Sequence, residues 1–192
     1  MQETDPRPPV TAPPDVERAD LVREAFHELH GRRLHGFGLL LTLGDRRGAS
    51  RLAGEALAAG ADRAGHLRHP ERAAAWLRAR VVRNAGGAGV ARDHVGDDRA
   101  ALADLGADGP VIAGLAALDR TERAAVIASS IERLDTRDVA TIVGREAGSL
   151  ERLLSGARRR YAAAYEAAAI DDPPLNGPLA VRLHEIAMRA MG

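Results

Sequence analysis

The sequence has no cysteine and no lysine; all 27 of its basic residues are arginine. Without thiols there is no disulfide framework, no thiolate metal site and no cysteine nucleophile. Only five residues are aromatic and β-branched runs are scarce, which argues against a β-sandwich or barrel. No apolar run approaches the ~20 residues that cross a bilayer, and the first residues lack the apolar centre of a signal peptide. A cytoplasmic protein with no membrane partner is expected. Net formal charge is zero, so any nucleic-acid function has to rest on local patches. What is abundant is alanine, 39 residues of 192, alongside leucine, arginine and glutamate, all strong helix formers. With 45% apolar residues the chain can bury a core.

Residues 1–14 hold five prolines and read as a disordered lead. Asp15 offers an N-cap, and Val22, Ala25, Phe26 and Leu29 follow at the spacing of one helical face. A second apolar stretch, Leu34 to Leu43, comes after Gly31 and stops at Gly44-Asp45. Asp45 can cap a third helix carrying Leu52, Ala53, Ala56 and Leu57. Pro70 marks the first position of the next helix. Its buried stripe is Ala73, Ala74, Leu77 and Val81, and Arg72, Trp76, Arg80 and Arg83 share an adjoining sector of about 80°.

Those helices make a first domain, residues 15–84. Residues 85–110 carry six glycines and seven charges, and read as a flexible linker with at most one short helix around Ala100 to Leu105. A second domain, residues 111–161, has apolar positions at Leu115, Leu118, Val126, Ile127 and Ile131, with Thr121 and Thr136 as helix caps. Residues 162–192 read as a C-terminal helical extension. There Leu179, Leu183, Ile186 and Ala187 share a face suited to protein contact. The fold class expected is all-α: two small helical domains joined by a flexible linker.

The most informative segment is 136–155, a helix-turn-helix pattern in the second domain. Ala140, Gly144 and Leu150 stand at relative positions 5, 9 and 15 of a twenty-residue motif. A small residue allows close helix approach, glycine permits a left-handed turn, and the apolar residue plugs the space between the helices. Val139, Val143, Ala147 and Leu153 fill other apolar positions. A plain helical hairpin with a glycine turn is the simpler reading of the same pattern.

Over residues 18–161 the chain resembles the extracytoplasmic-function class of bacterial RNA polymerase sigma factors. The segment LHGRRLHGFGLLLTLGDRRGASRLAGEAL is similar to the family's first conserved helical region, and RHPERAAAWLRARVVRNA to its last helix, ending in Arg83-Asn84. The stretch from Leu115 to Tyr161 is similar to the C-terminal region, with Asp138-Val139-Ala140 at the acidic-aliphatic-alanine signature. No P-loop, GxSxG, HExxH or dinucleotide fingerprint occurs, so no enzymatic activity and no cofactor are expected. The resemblance implies a protein that binds core RNA polymerase and promoter DNA. An anti-sigma or other regulatory protein is a further possible partner. It implies polymerase contacts at Leu52, Glu55 and Ala56. Contacts to the minus-ten element fall to Arg80, Arg83 and Asn84, and contacts to the minus-thirty-five element to Arg145, Ser149, Arg152 and Arg159, through a recognition helix in the major groove.

The chain departs from the family pattern on those surfaces. Arg51 and Gly54 replace an acidic residue and a glutamine of the polymerase-binding helix. Gly86-Gly87, then Asp93, Asp97 and Asp98, stand where a basic run is usual. In the recognition helix Glu151 and Leu153 replace a lysine and an arginine. These changes favour a second reading, a degenerate sigma-like protein that binds polymerase or another regulator without reading promoter DNA. A third reading is a simple helix-turn-helix regulator.

Smaller constellations have plainer explanations. His27/His30 and His66/His69 have a spacing that can share a metal, yet no further ligand completes either set. Trp76 fits a core position better than a base-stacking platform. Arg158, Arg159 and Arg160 suit either phosphate contact or a basic helix end.

Overall fold

The computed structural model describes residues 15–63, 66–67, 69–86 and 99–171, which are all-α with no strand. The fold opens with α1, Asp15–Leu41, a single helix of 27 residues. It runs through Gly31, where the sequence suggested a break. A glycine inside a helix costs only about 1 kcal/mol, and here the His27 ring lies against the position a Cβ would take. From Gly36 to Leu41 the last turns of α1 are buried all round, and Leu34, Phe37, Leu39, Leu40 and Leu41 are all in the core.

A turn with Leu43 and Gly44 at positive φ redirects the chain into α2, Arg46–Ala61. Asp45 caps it as expected, accepting a hydrogen bond from the Gly48 amide at 2.8 Å. Gly38 lets α2 cross close to α1, since a Cβ there would sit 3.3 Å from the Ala49 Cα. The third helix, α3 (Pro70–Asn84), begins with its proline at the first turn. Ala73, Leu77 and Val81 are buried, as its apolar stripe requires.

After α4, Arg99–Asp104, the short helix expected inside the linker, come α5, Gly109–Ala116, and α6, Arg120–Val126. The cap of α6 is Asp119, two residues before the expected Thr121. Asp119 and Glu122 exchange side chain-to-amide hydrogen bonds in a reciprocal capping box that a threonine at 121 has no means to form. A π-helical turn, Ile127–Ile131, continues α6 and was not legible from periodicity. Next, α7 spans Thr136–Val143 and is capped by Asp135, one residue before the expected Thr136. The chain then turns into α8, Ala147–Asp171, so residues 162–171 continue one long helix.

The all-α fold class stands, but the two helix groups do not keep separate cores. One apolar cluster runs from Leu34, Leu52 and Leu77 through Leu102 and Leu115 to Ile131, Leu150 and Tyr161. Helix α7 packs against α3, which joins the groups directly. The segment read as a linker is narrower than expected. Residues 99–110 are largely helical, with Ala101, Leu102, Ala107 and Pro110 buried, because their few apolar side chains find the core. The disordered lead 1–14, the acidic stretch 87–98 and the apolar face at Leu179, Leu183, Ile186 and Ala187 lie outside the described residues.

Two buried polar links hold the groups together. Arg78 of α3 and Glu132, just past the π turn, form a bidentate pair with both N–O distances at 2.6 Å. Their side chains are only 6% and 9% exposed. Arg123 of α6 donates to three carbonyls, Leu115 at 2.8 Å, Leu41 at 2.8 Å and Leu118 at 2.9 Å. Its guanidinium thereby closes the C-terminal ends of α1 and α5, where a positive charge meets the negative ends of the helix dipoles.

Candidate nucleic-acid interface

The helix-turn-helix is built as the pattern requires. Gly144 adopts the left-handed conformation (φ 63°, ψ 41°) and its amide closes α7 on the Ala140 and Thr141 carbonyls. Leu150 is fully buried, and Ala157 and Tyr161 extend the same stripe down α8. Gly114 of α5 receives the Tyr161 ring, since a Cβ there would lie 2.7 Å from its Cε2. Burial pushes the Tyr161 hydroxyl far above its ordinary range, with Tyr165 and Asp108 adding to the shift.

This packing fixes which side of α8 faces outward. Arg152 and Arg159 are both exposed. They lie seven residues apart, hence within about 20° of one another and roughly 10 Å apart along the axis, opposite Leu150. Arg145 is exposed at the turn, and Ser149 is half-buried with its hydroxyl donating to the Glu146 carbonyl at 3.0 Å. A shallow cavity of about 570 Å³ lies beside the turn, lined by Thr136, Arg137, Ala140, Thr141, Gly144, Arg145 and Ala147. From Gly144 to Arg160 the segment carries five arginines and two glutamates, Glu146 and Glu151, both exposed. Arg160 pairs with Glu122, and Arg158 reaches the Ser129 hydroxyl at 3.5 Å. Arg152 and Arg159 are thus the outward cations best placed to meet a phosphate backbone.

The residues expected to contact polymerase divide. Leu52 and Ala56 are fully buried between α1, α2 and α3, so their side chains build the core and offer no surface. The correction follows from the helical period, which turns both inward while Arg51, Gly54 and Glu55 face solvent. Glu55 is joined to Arg51 at 2.8 Å and to Asn84 at 3.0 Å. The Arg51 hydrogen bond is the largest influence holding the Glu55 carboxyl below its usual range. Slight burial opposes it, while the Asn84 hydrogen bond and the charges of Arg51 and Arg80 reinforce it.

That contact brings together residues assigned to different partners, because Asn84 sits on a carboxylate of α2. Arg83 is exposed, and Arg80 is half-buried with no hydrogen-bond partner for its Nε among the described residues. Trp76 packs against the core with the Arg63 guanidinium 5.8 Å from its ring centre, consistent with the core assignment. Among the described residues no group of three His, Asp or Glu is placed to hold a metal. None of their helices is long and apolar enough to cross a membrane.

Sequence reasoning missed the polar links Arg78–Glu132 and Arg123–Leu41. The partners stand 54 and 82 positions apart, and nothing local marks either arginine as buried. No family model, curated protein or solved structure matches the chain.

Proposed function

We propose that the chain is a divergent sigma-like transcription factor that binds core RNA polymerase and promoter DNA in the cytoplasm. The observation that carries the reading is the α7–turn–α8 geometry, in which Gly144 and Leu150 set the helices while Arg145, Arg152 and Arg159 stay outside. A helix so presented fits the major groove, and its arginines can bond phosphates or guanine edges. On α3, exposed Arg83 with Arg80 beside it offers a second cationic face. The polymerase contact on α2 then falls to the exposed neighbours of the buried pair, Arg51, Glu55 and Ala58. The mechanism is recruitment and strand capture, without chemistry on the nucleic acid.

In vitro transcription with purified chain and core polymerase on genomic fragments tests this reading. Transcripts with defined starts that need the chain are expected. A second reading, a sigma-like protein that binds polymerase or another regulator without reading promoters, draws support from Glu146 and Glu151 on the outward face. Co-purification with core polymerase and no transcript at any start would favour it.

A further inference from the structure

The first half of α1 is lightly packed. From Asp20 to Leu29 none of its residues is buried. Val22 and Phe26 are half-buried, and Phe26 packs against the core. Leu21, Ala25 and Leu29 recur every four residues on an adjoining face and are exposed, the two leucines at 59% and 61%. They make an apolar strip about 12 Å long. Glu24 and Glu28 run along one edge of it, about 100° and 60° around the helix from Ala25 in the same sense. Both are exposed, and no ion pair joins either to another described residue.

The sequence beyond α8 contains a complement to this strip. Helix α8 ends at Asp171, and residues 172–192 follow it. Pro173-Pro174 and Gly177-Pro178 come first and break a helix. Beyond them Leu179, Leu183 and Ala187 recur at the same four-residue spacing, with Ile186 beside them. On a helix, Arg182 and Arg189 fall about 100° and 120° from Leu183, in the same rotational sense as the glutamates from Ala25. Two helices face to face bring edges of like sense together only when they run antiparallel. In that arrangement one register sets Leu21 against Ala187, Ala25 against Leu183 and Leu29 against Leu179. A small residue opposes a large one in two of the three layers, which suits close packing. Arg182 then lies level with the gap between Glu24 and Glu28, so the apolar register and the charges agree.

We infer that the face of Leu21, Ala25 and Leu29 is the docking surface for the chain's own C-terminal segment, residues 179–189, bound as an antiparallel helix. The segment enters at Leu29, the end of the strip nearer the core, and runs outward to Leu21. Residues 172–178 can span about 25 Å when extended, and so short a tether holds the segment at roughly millimolar effective concentration. A segment of this length is marginal as an isolated helix, and the strip gives it the apolar partner it lacks.

Because the chain has no cysteine, disulfide trapping reads this contact directly. The full chain carrying Ala25→Cys and Leu183→Cys is oxidised at low micromolar concentration, and the products are separated on non-reducing gels. An intramolecular disulfide is expected, at least about tenfold faster than in His27→Cys/Leu183→Cys, where position 27 lies on the opposite side of α1. Arg182→Glu/Arg189→Glu should slow closure about threefold, the scale of exposed ion pairs. Adding Glu24→Arg and Glu28→Arg should restore it. Circular dichroism checks folding, and Leu29→Cys/Leu179→Cys serves if the first pair unfolds the chain. The inference is overturned if the facing pair closes no faster than the control, or if the disulfide joins only separate chains. It is equally overturned if charge reversal leaves the rate unchanged.

Discussion

The Arg123 guanidinium donates to the Leu41 carbonyl at 2.8 Å across 82 residues of sequence, tying the last turn of α1 to α6 in the opposite half of the fold. Two further carbonyls, Leu115 and Leu118, accept from its Nε and its second terminal nitrogen. Replacing Arg123 with methionine keeps much of the apolar stem but leaves three buried acceptors without that donor. A loss of about 3–5 kcal/mol is expected, the usual cost of breaking a buried charged contact. Urea denaturation checks it, and Arg123→Lys, with one compact donor group, should fall between the two.

The Arg78–Glu132 pair makes a second link with a different signature. Glu132→Gln alone should destabilise the chain by about 3 kcal/mol, because a buried guanidinium loses its counter-charge. Arg78→Met with Glu132→Leu removes both charges and should recover most of that loss. A double-mutant cycle in urea measures the coupling.

Gly114→Ala tests the packing that orients α8. The new methyl would meet the Tyr161 ring at 2.7 Å, and that ring is only 3% exposed, so the clash falls inside the core. Destabilisation of about 1–3 kcal/mol is expected despite the better helix propensity of alanine. Thermal melting decides, and an unchanged Tm would mean that α5 and α8 sit farther apart than described.

Acid should loosen the first helix. Burial, reinforced by Arg78 and Arg33 at His30 and by Arg46 at His35, lowers the titration of both imidazoles from the ordinary 6.5. In the window from 6.5 down to their folded values the unfolded chain binds more protons, so stability is fullest above 6.5 and declines as pH falls. His30→Gln should narrow the difference in unfolding free energy between pH 7.5 and pH 5.5. An unaltered difference would remove His30 from the account.

Much of the fold was legible because its signals are local. Asp45 as cap, Pro70 at a helix start, Gly144 in the turn and Leu150, Ala157 and Tyr161 as one stripe all follow from residue chemistry within a turn or two. Gly31 misled because a long helix packed along its second half tolerates glycine, and α1 carries three, Gly31, Gly36 and Gly38. Thr121 and Thr136 misled because an aspartate stood one or two residues earlier and caps more strongly. The shared core was not legible, since it depends on residues far apart in sequence. On α8 the helical period separated exposed Arg152 and Arg159 from buried Leu150, whereas on α2 the same period turned Leu52 and Ala56 inward, away from the surface assigned to them.

Binding of the full chain, with core polymerase, to promoter-containing genomic fragments tests the central claim most directly, comparing wild type, Arg152→Ala and Glu151→Lys across a salt series. Wild type should bind beyond core polymerase alone. Arg152→Ala should bind less well, with a salt slope smaller by about one if Arg152 meets a phosphate. Glu151→Lys, which replaces an exposed negative charge on α8 with a positive one, should bind more tightly. If none of the three binds DNA better than core polymerase alone, the promoter-reading claim is contradicted.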